Sequence, residues 1–395
     1  MRDNPTNRVP EAPIQRSVLN EWNWRKEPIH RWYFITEGLP ISIVRSFLRS
    51  SPGDVLDPFL GCGTVLVEAG AVGLHAIGID VNPFMCFTSS VKTGFHRVDK
   101  DVITDFLRGL EIGSHRDSST DCPATLRTYY SSRRLGNLLR LRHAISRLTD
   151  SDEKNFLKLA FVRASLRYGD IRMSPSLRLH KRERCRPILK LFGQTVGMMI
   201  DDLSRSPPTG EVEVLRADSK NLNSIHGRNF GLVLTSPPYC NNVDFVRHSQ
   251  LPLYWLDYCR DAKDLRLIRK ASVTSCEAMA YAEKASKIDD PKIKQTATAL
   301  MKISDRRFHY VVSQYFSGMA SHFSTLNDVI RKNGRLVYVI GDSWMQGVHV
   351  NTPLMLARLA KAAGFHSVKL HFLRQRKSGR RHSKTLREYI LTARR

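Results

Sequence analysis

The chain lacks any apolar run of about eighteen residues, the length a helix needs to cross a bilayer. Its first residues, Met1-Arg2-Asp3-Asn4-Pro5, lack the charged-then-apolar order of an export signal, so a soluble, cytoplasmic protein with no membrane partner is expected. Cysteine is sparse. Seven residues (62, 86, 122, 185, 240, 259 and 276) are scattered and never spaced as Cys-x-x-Cys, which argues against both a disulfide framework and a zinc site. No metal is expected. No internal repeat or low-complexity tract stands out.

Acidic residues are scarce too. Lys and Arg outnumber Asp and Glu by 62 to 37, a net charge of +25 that exceeds what solubility needs and points to a polyanion as partner. The excess is clustered. Arg172, Arg178, Lys181, Arg182, Arg184, Arg186 and Lys190 crowd one stretch with only Glu183 among them. Arg374, Arg376, Lys377, Arg380, Arg381, Lys384 and Arg387 crowd another, with no acid between 374 and 387. Both are candidate phosphate-binding surfaces; solvated basic faces are the alternative.

With 395 residues and 42% hydrophobic content, the chain can bury a core for one large or two modest domains. Strand-like runs cover 54–57, 75–80, 211–218, 231–235, 335–341, 368–373 and 386–392, several of them continuously apolar as in buried parallel strands. Helices are predicted over 63–72 and 308–331, the second closed by Asn333-Gly334 as a C-terminal cap. Two segments, about 84–210 and 261–307, are too long for simple crossovers and read as insertions. In the first, Ile188, Leu189, Phe192, Val196, Met199, Ile200 and Leu203 fall at helical spacing, as do the leucines of 135–148. The expected organisation is therefore an irregular arm over 1–20, a first half-domain over 21–95, a helical insertion over 96–210, and a second half-domain over 211–395.

Two motifs carry the chemistry. Asp57-Pro58-Phe59-Leu60-Gly61-Cys62-Gly63-Thr64 closes the first strand and opens a helix, and its glycines let backbone approach a ligand closely. Asp80 ends the next strand, placed to accept hydrogen bonds from ribose hydroxyls, with Asn82-Pro83 after it. A cap or turn role is the alternative for Asp80. The apolar run 231–234 leads into Thr235-Ser236-Pro237-Pro238-Tyr239, a strand end offering a hydroxyl, a carbonyl from a rigid backbone and an aromatic face. Such a set fits a flat, amino-bearing ring.

In this order the motifs resemble those of the DNA amino-methyltransferases that use S-adenosylmethionine, and the Ser-Pro-Pro-Tyr form resembles the cytosine-N4 type. The resemblance covers roughly 22–95 and 211–395, including Asn241–Phe245 and Gly341-Asp342-Ser343. It implies a doubly wound, Rossmann-like seven-stranded methyltransferase sheet of α/β class with a mostly helical insertion. It also implies S-adenosyl-L-methionine bound by Asp57, Pro58, Phe59, Gly61, Gly63, Thr64, Asp80 and Asn82, with Asp218 near the adenine. Asp218 could equally cap the turn Ser219-Lys220-Asn221. The segment Trp24–Phe34 resembles the one that closes over the cofactor, which makes Phe34 a candidate cofactor residue.

The exocyclic amine of cytosine is a poor nucleophile because its lone pair is delocalised into the ring. Acceptors on both sides of the NH2, here Ser236 Oγ and the Pro237 carbonyl, would restore that lone pair for in-line attack. Pro238 keeps the corner rigid, and Tyr239 would stack on a base taken out of the duplex. The cytosine-C5 route needs a nucleophilic cysteine, usually in a Pro-Cys pair, and none occurs; Cys240 reads as a packing residue. The expected partner is double-stranded DNA, held through the helical insertion, with a cognate restriction endonuclease as a companion. Adenine-N6 methylation of DNA, guanine-N2 methylation of RNA, and a catalytically silent nucleic-acid-binding protein stay open.

Overall fold

The computed structural model describes residues 24–35, 38–110, 122–172, 177–181, 185–280, 289–303, 307–377 and 385–395. The arm expected over 1–20, and Arg182, Arg184, Arg380, Arg381 and Lys384, lie outside the described residues.

The strands, in chain order, are β1 (Val55–Asp57), β2 (Ala76–Asp80), β3 (Ile171–Arg172), β4 (Arg178–Leu179), β5 (Val212–Arg216), β6 (Phe230–Thr235), β7 (Ile330–Gly341), β8 (Ser343–Met345), β9 (Val348–Val350), β10 (His366–Lys377) and β11 (Thr385–Arg394). Seven of them form one sheet in the order β10-β11-β7-β6-β1-β2-β5. Each of the seven predicted strand runs lies within or overlaps one of these strands. The five strands from β7 to the β5 edge run parallel, while β11 is antiparallel to both β7 and β10. β6 is buried along its whole length, as its unbroken apolar sequence requires.

From β1 the chain winds outward through β2 to β5, then returns to β1's other side and winds through β6 to β7. The strand order therefore reverses between β1 and β6, and a crevice opens outside their carboxyl ends. Both sequence motifs begin there, because Asp57 ends β1 and Thr235 ends β6.

The first insertion is helical as expected, with main helices over Lys100–Arg108, Ser132–Ser146, Asp152–Tyr168 and Ile188–Asp201. Ser132–Ser146 buries Leu135, Leu138, Leu141 and Ile145, and Ile188–Asp201 buries Ile188, Phe192, Val196 and Met199. Leu189, by contrast, is 40% exposed. These apolar faces share one core with Trp32, Phe84 and Trp255, so the insertion is packed into the body of the fold. Buried Asp202 fastens the N-terminal segment to it: its carboxylate accepts from Ile29 N at 2.8 Å, Trp32 Nε1 at 2.9 Å and Arg31 Nη2 at 2.6 Å.

One expectation is corrected. The long helix ends at Leu326, and Asn333-Gly334 lies inside β7 instead of capping a helix. Ile330 pairs with Phe230 and Arg335 with Leu232, so the residues between them bulge out, with Asn333 at a φ of 62°. Asn333 N donates to Arg395 O and Arg395 N to Gly334 O, so the last residue takes up the backbone groups of the bulge.

Candidate active site

The first wall of the crevice is the turn after β1. Gly61 and Gly63 have φ angles of 51° and 78°, a region where a side chain is strained. A Cβ on Gly63 would also lie 2.7 Å from Ser89 Oγ, so helix Thr64–Ala71 could not start this close to helix Pro83–Thr93 with any other residue. Asp80 ties the turn to the next loop: its carboxylate accepts from Gly61 N at 3.0 Å and Asn82 N at 2.9 Å. Asn82 caps helix Pro83–Thr93 through Phe84 N at 3.1 Å and donates to Ser249 Oγ at 2.7 Å.

Asp57 is buried, accepting from Phe59 N at 3.2 Å and from the Thr235 hydroxyl at 2.6 Å. Burial pushes its pKa up to about 7 against those hydrogen bonds, and burial raises Asp80 to about 6. Both carboxyls are thus poised near neutrality.

The second wall is the corner after β6. The Ser236 hydroxyl donates to Val339 O at 3.1 Å and also hydrogen-bonds with the Tyr239 side chain, and its oxygen lines the cleft with lone-pair capacity for a ligand. The Tyr315 hydroxyl donates to Pro238 O at 2.8 Å, fixing the carbonyl beyond Pro237. Tyr239 is only 8% exposed. Its hydroxyl donates to Glu388 Oε1 at 3.2 Å, and the Arg376 guanidinium lies 5.3 Å from its ring centre. Burial raises the phenol far above its ordinary range. Gly341 admits the ring, since a Cβ there would come within 2.7 Å of it. The expected stacking platform is thus largely enclosed by protein. Cys240 is fully buried with its thiol pushed up by burial, which suits a packing residue and not a nucleophile.

The two walls face one another across a cleft of about 980 Å³, counting space open to solvent. Pro58, Phe59, Gly61, Asp80 and Asn82 line one side, and Ser236, Pro237, Pro238 and Tyr239 the other. A smaller pocket of about 490 Å³ adjoins it, where Phe34, Asp57 and Thr64 meet Gly61 and Ser236. Gly63 lines neither and serves the helix start. Asp218 is turned onto its own loop: it accepts from Lys220 N at 2.9 Å and pairs with Lys220 Nζ at 3.0 Å, the turn role its sequence also allows.

Several lining residues are not singled out by the sequence. Val246, Val273 and Met279 complete the cleft beside Phe245, the last two of the three from the second insertion. That insertion is clasped to the loop after the Ser-Pro-Pro-Tyr corner, with Asn242 N donating to Ser275 O at 3.0 Å and Ser275 Oγ to Val243 O at 2.8 Å. The only signal for this wall is the Asn241–Phe245 segment. His30 and Lys92 line the smaller pocket; His30 lies in the Trp24–Phe34 segment, and Lys92 gives no signal.

The two basic clusters separate. Arg172 and Arg178 sit directly opposite one another across β3 and β4, both exposed, and Lys181, Arg186 and Lys190 are exposed nearby in sequence. Like charges in that register repel unless an anion joins them. Arg374 and Arg376 are different. Both pair with buried Glu388, which lies opposite Arg374 in the β10–β11 register, and both are half-buried. The acid-free stretch 374–387 is misleading because strand pairing brings the next residue, an acid, back across it. Lys377 ends β10.

A glycine turn and a Ser-Pro-Pro-Tyr corner facing each other at the switch point of this seven-stranded sheet define a methyltransferase. The chain is 22% identical over 92% of its length to type II methyltransferase M.BsoBI of Geobacillus stearothermophilus, covering 84% of that protein. It is also 22% identical to M.AvaI of Nostoc sp. over 90% of the chain and 83% of the relative, and 20% identical to M.MvaI of Kocuria varians over 86% and 83%. No protein-family model matches the chain. The chain is thus a relative of the type II methyltransferases along most of its length.

The methyl donor of this class is S-adenosyl-L-methionine, and the residues present fit it. Gly61 lines both pockets without a side chain, and its φ of 51° disfavours one there. Asp80 keeps acceptor capacity at the cleft edge, because its backbone donors, Gly61, Val81 and Asn82, do not fill the roughly four lone-pair sites of a carboxylate. In the smaller pocket, buried His30 has an Nδ1 without a hydrogen-bond partner.

Proposed function

We propose that the protein is a DNA methyltransferase that modifies the exocyclic N4 amine of cytosine. The observation that carries this reading is the Ser236 hydroxyl, which lines the cleft and donates to Val339 O. Ser236 Oγ is thus an acceptor toward the cleft, where a target NH2 needs one. The Pro237 carbonyl is the second acceptor, and Tyr315 steadies it by holding the Pro238 carbonyl.

Bound S-adenosyl-L-methionine supplies an electrophilic methyl group on positive sulfur. Asp80 and the Gly61 turn orient the donor's nucleoside and methionine parts, with Pro58, Phe59, Asn82, Phe34 and Thr64 shaping the space around it. Ser236 and Pro237 pull the amine toward tetrahedral geometry, so that its lone pair points along the line of transfer. The surplus proton of the methylated amine leaves to water. Tyr239, anchored between Arg376 and Glu388, forms a rigid flank of the base pocket.

Access to a duplex base requires that it be extruded, and the exposed Arg172, Arg178, Lys181 and Arg186 hold the phosphate backbone meanwhile. Arg182 and Arg184 belong to the same stretch of sequence. The helical insertion carries target recognition, and a cognate restriction endonuclease is the expected functional companion. Incubation with labelled donor and separate DNA and RNA pools, followed by digestion to nucleosides, tests the reading. Labelled N4-methylcytosine from DNA is the expected product; N6-methyladenine or a modified RNA base would overturn it.

A further inference from the structure

The smaller pocket beside the glycine turn holds two buried groups that the chemistry above does not use. Lys92 is 1% exposed, and its ammonium donates to Tyr33 O at 2.5 Å and Cys62 O at 3.0 Å. An ammonium has three donors, so one remains. Among the described residues no carboxylate neutralises it: its bonded partners are two carbonyls, and burial lowers its pKa to about 8. A buried cation satisfied only by carbonyls is costly unless an anion completes it.

His30, also 1% exposed, shares the pocket. Its Nε2 lies 2.8 Å from Glu68 Oε1, and Arg45 Nε donates to Glu68 Oε2 at 2.7 Å. Burial by itself would raise the Glu68 carboxyl, yet the bonds from His30 and Arg45 hold it at about 2, so Glu68 is ionised. Burial also lowers the His30 pKa, so the ring is neutral. A neutral ring facing a carboxylate carries its proton on Nε2. Nδ1, which is buried and has no partner, is therefore an unsatisfied lone-pair acceptor on a ring that lines the pocket.

One cation with a spare donor and one neutral acceptor in the same pocket describe a receptor for a zwitterion. We infer that Lys92 binds the carboxylate and His30 Nδ1 the ammonium of the methyl donor's amino-acid end, Thr64 and Asp57 lining the same pocket. This rests on the methyl-donor reading of the adjoining cleft. It adds two residues to that reading and a reason for them: the pocket selects a ligand with both charges, so nucleosides without the amino-acid end are refused.

The test is calorimetry with S-adenosylhomocysteine, its decarboxylated analogue, its deaminated analogue and 5′-methylthioadenosine. Wild-type protein should bind S-adenosylhomocysteine about tenfold or more tightly than each of the other three. Lys92→Met should weaken S-adenosylhomocysteine by about tenfold while leaving the decarboxylated analogue within about twofold, and His30→Phe should do the same with respect to the deaminated analogue. If the wild type binds none of the four, the methyl-donor reading itself falls. If it binds all four equally, that reading stands and the amino-acid pocket is overturned. Equal weakening of every ligand by Lys92→Met would mean that Lys92 only supports the turn. Should either variant fail to fold, the wild-type comparison decides alone, with a pH series: the advantage conferred by the ligand carboxylate should fade above about pH 8. An advantage constant to about pH 10 would overturn the role of Lys92.

Discussion

The Thr235 hydroxyl donates to Asp57 Oδ1 at 2.6 Å, joining the last residues of β6 and β1. Through this bond the strand that carries the Ser-Pro-Pro-Tyr corner is pinned to the strand that carries the glycine turn. Thr235→Val keeps the shape and removes the donor, leaving the Asp57 carboxyl to the Phe59 N–H. The expected result is a loss of about 1–3 kcal/mol in denaturant unfolding, the cost of an unsatisfied buried acceptor, together with weaker S-adenosylhomocysteine binding by calorimetry. An unchanged midpoint would mean that the bond contributes nothing.

Ser236→Ala should separate chemistry from binding. With the acceptor gone, methyl transfer is expected to slow by about 10²-fold or more, while the dissociation constant for S-adenosylhomocysteine stays within about twofold. Single-turnover kinetics beside calorimetry would measure both. Wild-type turnover would reduce Ser236 to a turn residue.

The raised carboxyls set a pH dependence. Because Asp57 and Asp80 titrate at about 7 and about 6 in the fold, well above their ordinary values, the folded state holds more protons than the unfolded one between about pH 4 and 7. Their contribution to stability is therefore present below the ordinary carboxylate range and is lost as pH rises through about 7. Ligand binding has the opposite sign, since a donor group of the ligand favours the ionised carboxylate. Affinity for S-adenosylhomocysteine should fall by up to about tenfold per pH unit below about 7, and Asp57→Asn should flatten that fall. Titration calorimetry between about pH 5 and 8 would check it.

The basic clusters should behave oppositely. Neutralising Arg172, Arg178 and Lys181 together should reduce the salt slope of log DNA affinity by about 0.9 for each phosphate no longer neutralised, with cofactor binding intact. Arg376→Ala should leave that slope alone and lower turnover, because it removes the cation packed against the Tyr239 ring. Filter binding at several salt concentrations distinguishes the two; a flattened slope in Arg376→Ala would return that residue to the DNA surface.

The sheet is legible in the sequence because its strands are short apolar runs ending in Asp57, Asp80 and Thr235, where hydrophobic pattern and motif coincide. Asn333-Gly334 misleads because local turn chemistry is the same in a cap and in a bulge, and only pairing with Arg395 decides between them. The pairing of Arg374 and Arg376 is hidden for a related reason: their acid, Glu388, is close in sequence but reaches them only through the β10–β11 register. Lys92 leaves no trace, since a lone Lys in a helix looks like surface, and His30 is marked only by lying in the Trp24–Phe34 segment, where a lone His among aromatics looks like core. Their meaning comes from burial, which a sequence does not display.

The pairing of β1 with β6 also has a kinetic side. Residues 178 apart in sequence must meet before Asp57 and Thr235 can touch, and β7 comes later still to receive the Ser236 proton. Pairings of such span form slowly because much chain must be ordered before they repay it. In a chain emerging from the ribosome, the cofactor half waits with one flank of β1 unpaired until β6 arrives. That exposed edge makes dilute refolding the gentler route to active protein, and crowded refolding the route to aggregates.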